Sequence, residues 1–148
     1  MRHILWTGML LTIFTLIPVR TVHAGGIGKE IWVGAGAVWP DYHDREAMAV
    51  VRGGVGMVIA RHVTLGVSAQ ADRDRWYYFA DTSVIFPAMG LIEPYARFQI
   101  GRRDDVDDTA MVWSAGVRTG EDSIRIFIEG FGVFEPAENY GGCVGISF

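Results

Sequence analysis

Chemistry at a protein site needs a nucleophile, a base or a cluster of ligands, and this chain offers few of each. It has four histidines and one cysteine. His3 and His23 fall in an apolar N-terminal stretch, which leaves His43 and His62 as candidate bases. Acyl chemistry needs such a base beside a serine or similar nucleophile. His43 sits in "PDYHDRE" (40–46), where Asp41 and Asp44 supply none, and no His-x-Ser occurs. Catalysis is therefore not expected. Cys143 has no intramolecular disulfide partner and reads as a small residue of a polar face. Asp104, Asp105, Asp107 and Asp108 in "RRDDVDD" (102–108) are hard oxygen donors, but their spacing matches no calcium loop. A solvated turn is the simpler reading, and neither metal nor cofactor is expected. More telling is a set of opposite charges: Arg52, Arg97, Arg118 and Arg125 against Asp72, Asp81, Glu93 and Glu129. Arginine is the cation suited to dense, partly buried pairing, so the set reads as a packed charge network rather than a proton path.

Short alternating runs must position those charges. Eight runs of strand type cover 30–39, 47–61, 63–73, 75–87, 91–103, 109–119, 123–135 and 139–148, each bounded by Pro, Gly, Asp or Asn. In "SIRIFIEGFGVF" (123–134), Ile124, Ile126 and Ile128 alternate with Arg125, Phe127 and Glu129, a period of two. "VTLGVSAQA" sets Val63, Leu65, Val67 and Ala69 against Thr64, Gly66, Ser68 and Gln70. "IEPYARFQIGR" sets Ile92, Pro94, Ala96, Phe98 and Ile100 against Glu93, Tyr95, Arg97, Gln99 and Gly101. Short turns between the runs predict an up-and-down antiparallel meander in one domain.

Periodicity does not say which face is wet; the contents of the polar face do. A water-facing sheet is usually dressed with Lys, Glu and Thr. This chain has one lysine, Lys29, ahead of the first run. Its polar face carries glycines with Tyr95, Phe127 and Phe131, a combination suited to a narrow lumen. The apolar face carries Trp39, Trp76 and Tyr78 near one strand end, with Phe86 and Tyr140 also on it, as an interfacial girdle requires. An arginine turned to lipid at mid-depth costs about 2–4 kcal/mol. Four of them would cancel a domain stability of about 5–15 kcal/mol. The charges are therefore expected inside and the isoleucines outside. Pro94 removes a ladder hydrogen bond and is expected at a membrane edge or a bulge.

Residues 1–24 read as a cleavable signal peptide. Arg2 precedes the apolar "ILWTGMLLTIFTLIPV" (4–19), and Val22 and Ala24 occupy the small-residue cleavage positions. The domain is then 25–148, an exported chain. Net charge is −4 with no basic block, which excludes a nucleic-acid partner.

"EPYARFQIG" (93–101) and the ending "YGGCVGISF" resemble small eight-stranded outer-membrane barrels of the OmpA/OmpX type, over the whole of 25–148. The resemblance implies an all-β, eight-stranded antiparallel up-and-down transmembrane β-barrel in a bacterial outer membrane, with both termini in the periplasm. It implies that Tyr140, Val144, Ile146 and the terminal Phe148 form the signal read by the outer-membrane assembly machinery. "PDYHDRE", "DRDR" (72–75), "RRDDVDD" and "EPAEN" (135–139) would then face outward. Arg45, Arg73, Arg75, Arg102 and Arg103 would lie at headgroup level, shaped to pair with lipopolysaccharide phosphates. The expected function is structural or surface-interacting, in a monomer without turnover. Two rivals stand beside it. One is a narrow small-solute channel. The other is a soluble periplasmic lipocalin-like binding barrel, with Ile124, Ile126, Ile128 and Phe98 turned inward around an apolar ligand.

Overall fold

A sheet of eight alternating strands leaves two unpaired edges unless it closes on itself. The computed structural model describes residues 28–40, 46–60, 62–73, 75–104, 109–121, 124–134 and 139–148, and in it the edges meet. The strands are β1 (Gly28–Pro40), β2 (Met48–Ala60), β3 (Val63–Asp72), β4 (Arg75–Ile85), β5 (Ile92–Arg103), β6 (Thr109–Glu121), β7 (Ile124–Val133) and β8 (Asn139–Ser147). Each pairs antiparallel with the next, and β8 returns to β1 from Trp32↔Ser147 to Pro40↔Asn139. Phe148 and Ile31 exchange backbone hydrogen bonds of 2.8 and 3.1 Å just beyond that ladder. The leader 1–24 lies outside the described residues, as do His43, Arg45, Asp105, Asp107 and Asp108.

Strand limits fall within two residues of the sequence expectation. β4 stops at Ile85, two residues early, because Pro87 has no donor to continue a ladder. β6 runs on to Glu121 because Thr119, Gly120 and Glu121 keep pairing with Ile126, Arg125 and Ile124. Ile59 is the extra residue of a bulge in β2, where the β2–β3 register shifts between Val58 and Ala60. Pro94 sits third in β5, with no bulge there. Its carbonyl accepts from Phe86 N at 2.9 Å. A strand residue's N and C=O face the same neighbour, so the missing donor falls where the β4–β5 ladder ends.

The seven connections divide the barrel into two ends. The terminal end holds the start of β1, the end of β8 and the connections β2–β3, β4–β5 and β6–β7. The loop end holds the other four.

The polar side is inside. Ile124, Ile126 and Ile128 are more than half exposed on the outer wall, while Phe127 and Glu129, which alternate with them, are 2% and 1% exposed. Val51, Leu65, Val67, Phe98, Ile100, Val117 and Val144 join the isoleucines outside. The inward set is Arg52, Thr64, Ser68, Gln70, Arg97, Gln99, Ser114 and Arg118, with Trp32, Tyr77, Phe79, Tyr95 and Phe131 filling the rest. Eight strands enclose a bore that side chains can fill. The filling depends on close approach: the Phe127 ring lies where a side chain on Gly145 would stand, 2.5 Å from a built Cβ. Outside, aromatics gather towards the loop end. Trp39 pairs with Tyr140 across β1–β8, Trp76 stacks on Tyr78 at 6.5 Å, and Trp113 lies 6.2 Å from Phe134.

Candidate functional site

The charged residues meet in two clusters inside the barrel. In the first, Glu129 of β7 lies at mid-lumen. Its Oε1 accepts from Arg52 Nη1 of β2 at 2.6 Å, and its Oε2 accepts from Arg97 Nη1 at 3.2 Å and Tyr95 Oη at 2.8 Å. Arg52 also donates through Nη2 to Gln99 Oε1, and Gln99 Nε2 donates to Ser68 Oγ at 2.6 Å. Aromatic faces complete the shell. The Arg97 guanidinium lies 3.9 Å from the centre of the Trp32 ring, and that of Arg52 lies 4.2 Å from Phe131. Buried charges are tolerated when paired, hydrogen-bonded and flanked by ring faces, and these conditions hold here except at Arg52 Nε, which is buried without a hydrogen-bond partner among the described residues.

The second cluster lies nearer the terminal end. Arg118 donates through Nε to Glu93 at 2.8 Å and through Nη1 to Glu30 at 3.0 Å, and Arg125 reaches Glu93 at 3.4 Å. Glu93 and Arg125 are about one-third exposed, so this cluster is wetter than the first. Between the two lies a cavity of about 10 Å³ lined by Glu30, Trp32, Arg97, Arg118, Phe127 and Ser147, among others. That is room for about one water. The first cluster and its rings cross the bore above it, so the described lumen is plugged.

Of the eight charges expected in the lumen, the structure brings Arg52, Arg97 and Glu129 into one group and Glu93, Arg118 and Arg125 into the other. Asp72 is buried at the loop-end rim, in register with Arg75. Asp81, in register with Gly66 and Gln99, keeps one buried oxygen, Oδ2, without a hydrogen-bond partner among the described residues. Sequence reasoning missed Glu30, which shares the inward parity of Gly34 and Gly36 on β1. It also missed Trp32, Tyr77 and Phe79 as lumen residues, although the same parity marks them.

Of the surface arginines, Arg73, Arg75 and Arg102 are exposed and Arg103 is half-buried, all at the loop end, and Arg102 and Arg103 are engaged with other residues. Arg73, at φ 25°, takes the tight β3–β4 turn. Asp104 is tied to the start of β4: its Oδ1 accepts from Trp76 N at 3.2 Å and its own N donates to Trp76 O at 2.9 Å. Tyr140, Val144 and Ile146 face outward on β8, with Phe148 half-buried at the seam. Cys143 is buried on the lumen side. The lipocalin-like rival needs Ile124, Ile126, Ile128 and Phe98 in the interior, and the structure puts all four on the outer wall.

No family model matches the chain, and no curated protein matches it in sequence. Solved structures match its fold. A de novo designed transmembrane β-barrel superposes with a TM-score of 0.67 at 15% identity, over 85% of this chain and 97% of the design. Neisserial surface protein A gives 0.67 at 11% identity, over 83% of this chain and 98% of that one. The N-terminal β-barrel domain of OprF from Pseudomonas aeruginosa gives 0.58 at 16% identity, over 83% and 100%. The likeness is one of fold. With the apolar outer wall and charged lumen, it gives this chain the fold of a transmembrane barrel: all-β, closed, eight-stranded, antiparallel and up-and-down.

Proposed function

We propose that this transmembrane barrel is an integral protein of a bacterial outer membrane with a structural and surface-interacting role and no catalytic turnover. The observation that carries the reading is the inverted arrangement of its two faces. Apolar side chains form the outer wall on every strand, and the ionic groups of the two lumen clusters are paired within. A wall of that kind is stable against hydrocarbon and not against water. Export follows from residues 1–24 acting as a cleaved signal peptide, which leaves 25–148 as the barrel. Tyr140, Val144, Ile146 and Phe148 serve as the mark read by the outer-membrane assembly machinery. The barrel works as a monomer.

Its partners are outer-membrane lipid and lipopolysaccharide, with phosphates met by Arg45, Arg73, Arg75, Arg102 and Arg103. Exposure of Arg73, Arg75 and Arg102 beside the aromatic belt supports this placement. Replacing all five with glutamine should lower lipopolysaccharide retention in the purified protein; equal retention removes the assignment.

The main experiment is outer-membrane fractionation, a carbonate wash and paired heated and unheated gels. The protein should stay with washed outer membranes and migrate differently before boiling. Release by carbonate would sink the reading. Single-channel recording tests the channel alternative, against which the plug of Arg52, Arg97, Glu129 and Trp32 argues; steady conductance in the parent protein would restore it.

A further inference from the structure

One hairpin at the terminal end is built unlike its neighbours. The β2–β3 connection carries Arg61 and His62, and the β6–β7 connection carries Asp122 and Ser123. The β4–β5 connection reads "FPAMGL" (86–91), with no charged or hydrogen-bonding side chain. Leu91 and Met89 are 80% and 70% exposed, the two most exposed large apolar side chains described, and Phe86 and Ile92 are about half exposed. The tip is ordered by its backbone. Met89 N donates to Ile92 O at 2.8 Å, Ile92 N donates to Met89 O at 3.4 Å, and Phe86 N donates to Pro94 O at 2.9 Å. Gly90, at φ 68°, takes the first central position of this tight turn, where a left-handed conformation is wanted. The backbone groups of the Met89–Ile92 pair are thus satisfied inside the hairpin while its side chains are apolar. Lipid sets those two conditions on any segment that enters it, and the amides of Gly90 and Leu91, which take no backbone partner in the hairpin, hold the tip at headgroup depth where water reaches them.

The patch also continues an interface already described. Val84 and Phe86 share the outward parity of β4, and Ile92 and Pro94 share that of β5, so the tip prolongs the lipid-facing wall beyond the strand ends. We infer that residues 86–92 are a lipid-inserted foot, seated in the bilayer leaflet at the terminal end and held there by lipid, not by a protein partner. The inference rests on the transmembrane reading. It gives the barrel an uneven mounting: aromatics gathered on the outer wall towards the loop end, and one apolar wedge on the β4–β5 side of the terminal end. Depth and tilt in the bilayer would be set by both.

Site-specific quenching tests this. In a Cys143→Ala background, Leu91→Cys, His62→Cys and Ile128→Cys are each labelled with an environment-sensitive fluorophore. Each is taken as the folded, heat-modifiable band into phosphatidylcholine vesicles, with iodide on both sides. The label at 91 should be quenched by iodide several-fold less than the label at 62, and quenched well by lipids spin-labelled at a shallow depth. The label at 128 should respond to deep spin labels. Iodide quenching at 91 equal to that at 62, with 128 still protected, overturns the foot and leaves the barrel standing. Iodide access at 128 brings down the transmembrane reading itself. Protection at 91 that disappears when the protein-to-lipid ratio is lowered by an order of magnitude would come from a second copy, and also overturns the foot.

Discussion

Replacing Glu129 with leucine tests whether the lumen plug is a coupled unit. The carboxylate takes hydrogen bonds from Arg52, Arg97 and Tyr95, and its side chain has no exposed surface. Removing one partner of a buried ion pair strands the other in a medium that cannot solvate it, at a cost of about 3–5 kcal/mol. The Tyr95 hydroxyl, left without its acceptor, adds about 1–3 kcal/mol. Together these approach the whole stability of an ordinary domain, about 5–15 kcal/mol. Glu129→Leu should therefore fold poorly or not at all. Arg52→Met should cost less, because Glu129 keeps Arg97 and Tyr95. The double variant Arg52→Met/Glu129→Leu carries one stranded guanidinium instead of two, so it should be more stable than Glu129→Leu alone. Its departure from additivity should be about 0.5–3 kcal/mol, the range for residues in direct contact. Urea titrations in lipid vesicles, read by tryptophan emission and by the fraction of the unheated gel band, give all three values. A Glu129→Leu loss below about 1 kcal/mol, or strict additivity in the double variant, would refute the picture of interdependent buried charges.

Three further outcomes follow from the same geometry. Ile128→Arg, on the outer wall, should cost about 2–4 kcal/mol and shift the urea midpoint down accordingly, since the charge would meet hydrocarbon. An unchanged midpoint would mean that this wall is wet. Gly145→Ala and Gly130→Ala are neighbouring changes with opposite expectations. A Cβ on Gly145 stands 2.1 Å from Val33 O and 2.5 Å from the Phe127 ring, whereas one on Gly130 meets only Gly141 O at 4.0 Å. Overpacking should cost the first about 1–3 kcal/mol, and the second should stay within about 0.5 kcal/mol of the parent. Finally, a barrel carrying Arg52→Ser and Glu129→Ser, refolded into planar bilayers, should pass small ions more readily than the parent; equal silence would place the barrier elsewhere in the bore.

The orientation of this barrel was legible from composition because each strand faces two solvents, and few residue types suit both. Ile124, Ile126 and Ile128 on one side of Phe127 and Glu129 are decided by period two alone once lysine is seen to be almost absent. What was not legible depends on closure. Glu30 meets Arg118, 88 residues away, because β1 and β6 face each other across the bore, and no local pattern carries that distance. The partition of acids and bases into two clusters is likewise set by how strands stagger around the ring, which fixes the level of each inward residue. Aromatic type gave no help either. In "RWYYFA" (75–80), Trp76 and Tyr78 belong to the membrane belt while Tyr77 and Phe79 fill the lumen. Parity separates them, and their sizes do not. Trp32 shows the remaining step: its indole needs Gly54 on the next strand, where a built Cβ would lie 2.7 Å from Nε1. A large residue in so narrow a bore is readable only together with the small one that the register brings beside it. The informative unit in such a sequence is thus the cross-strand pair, and the stagger that makes those pairs is a property of the closed ring rather than of any one strand.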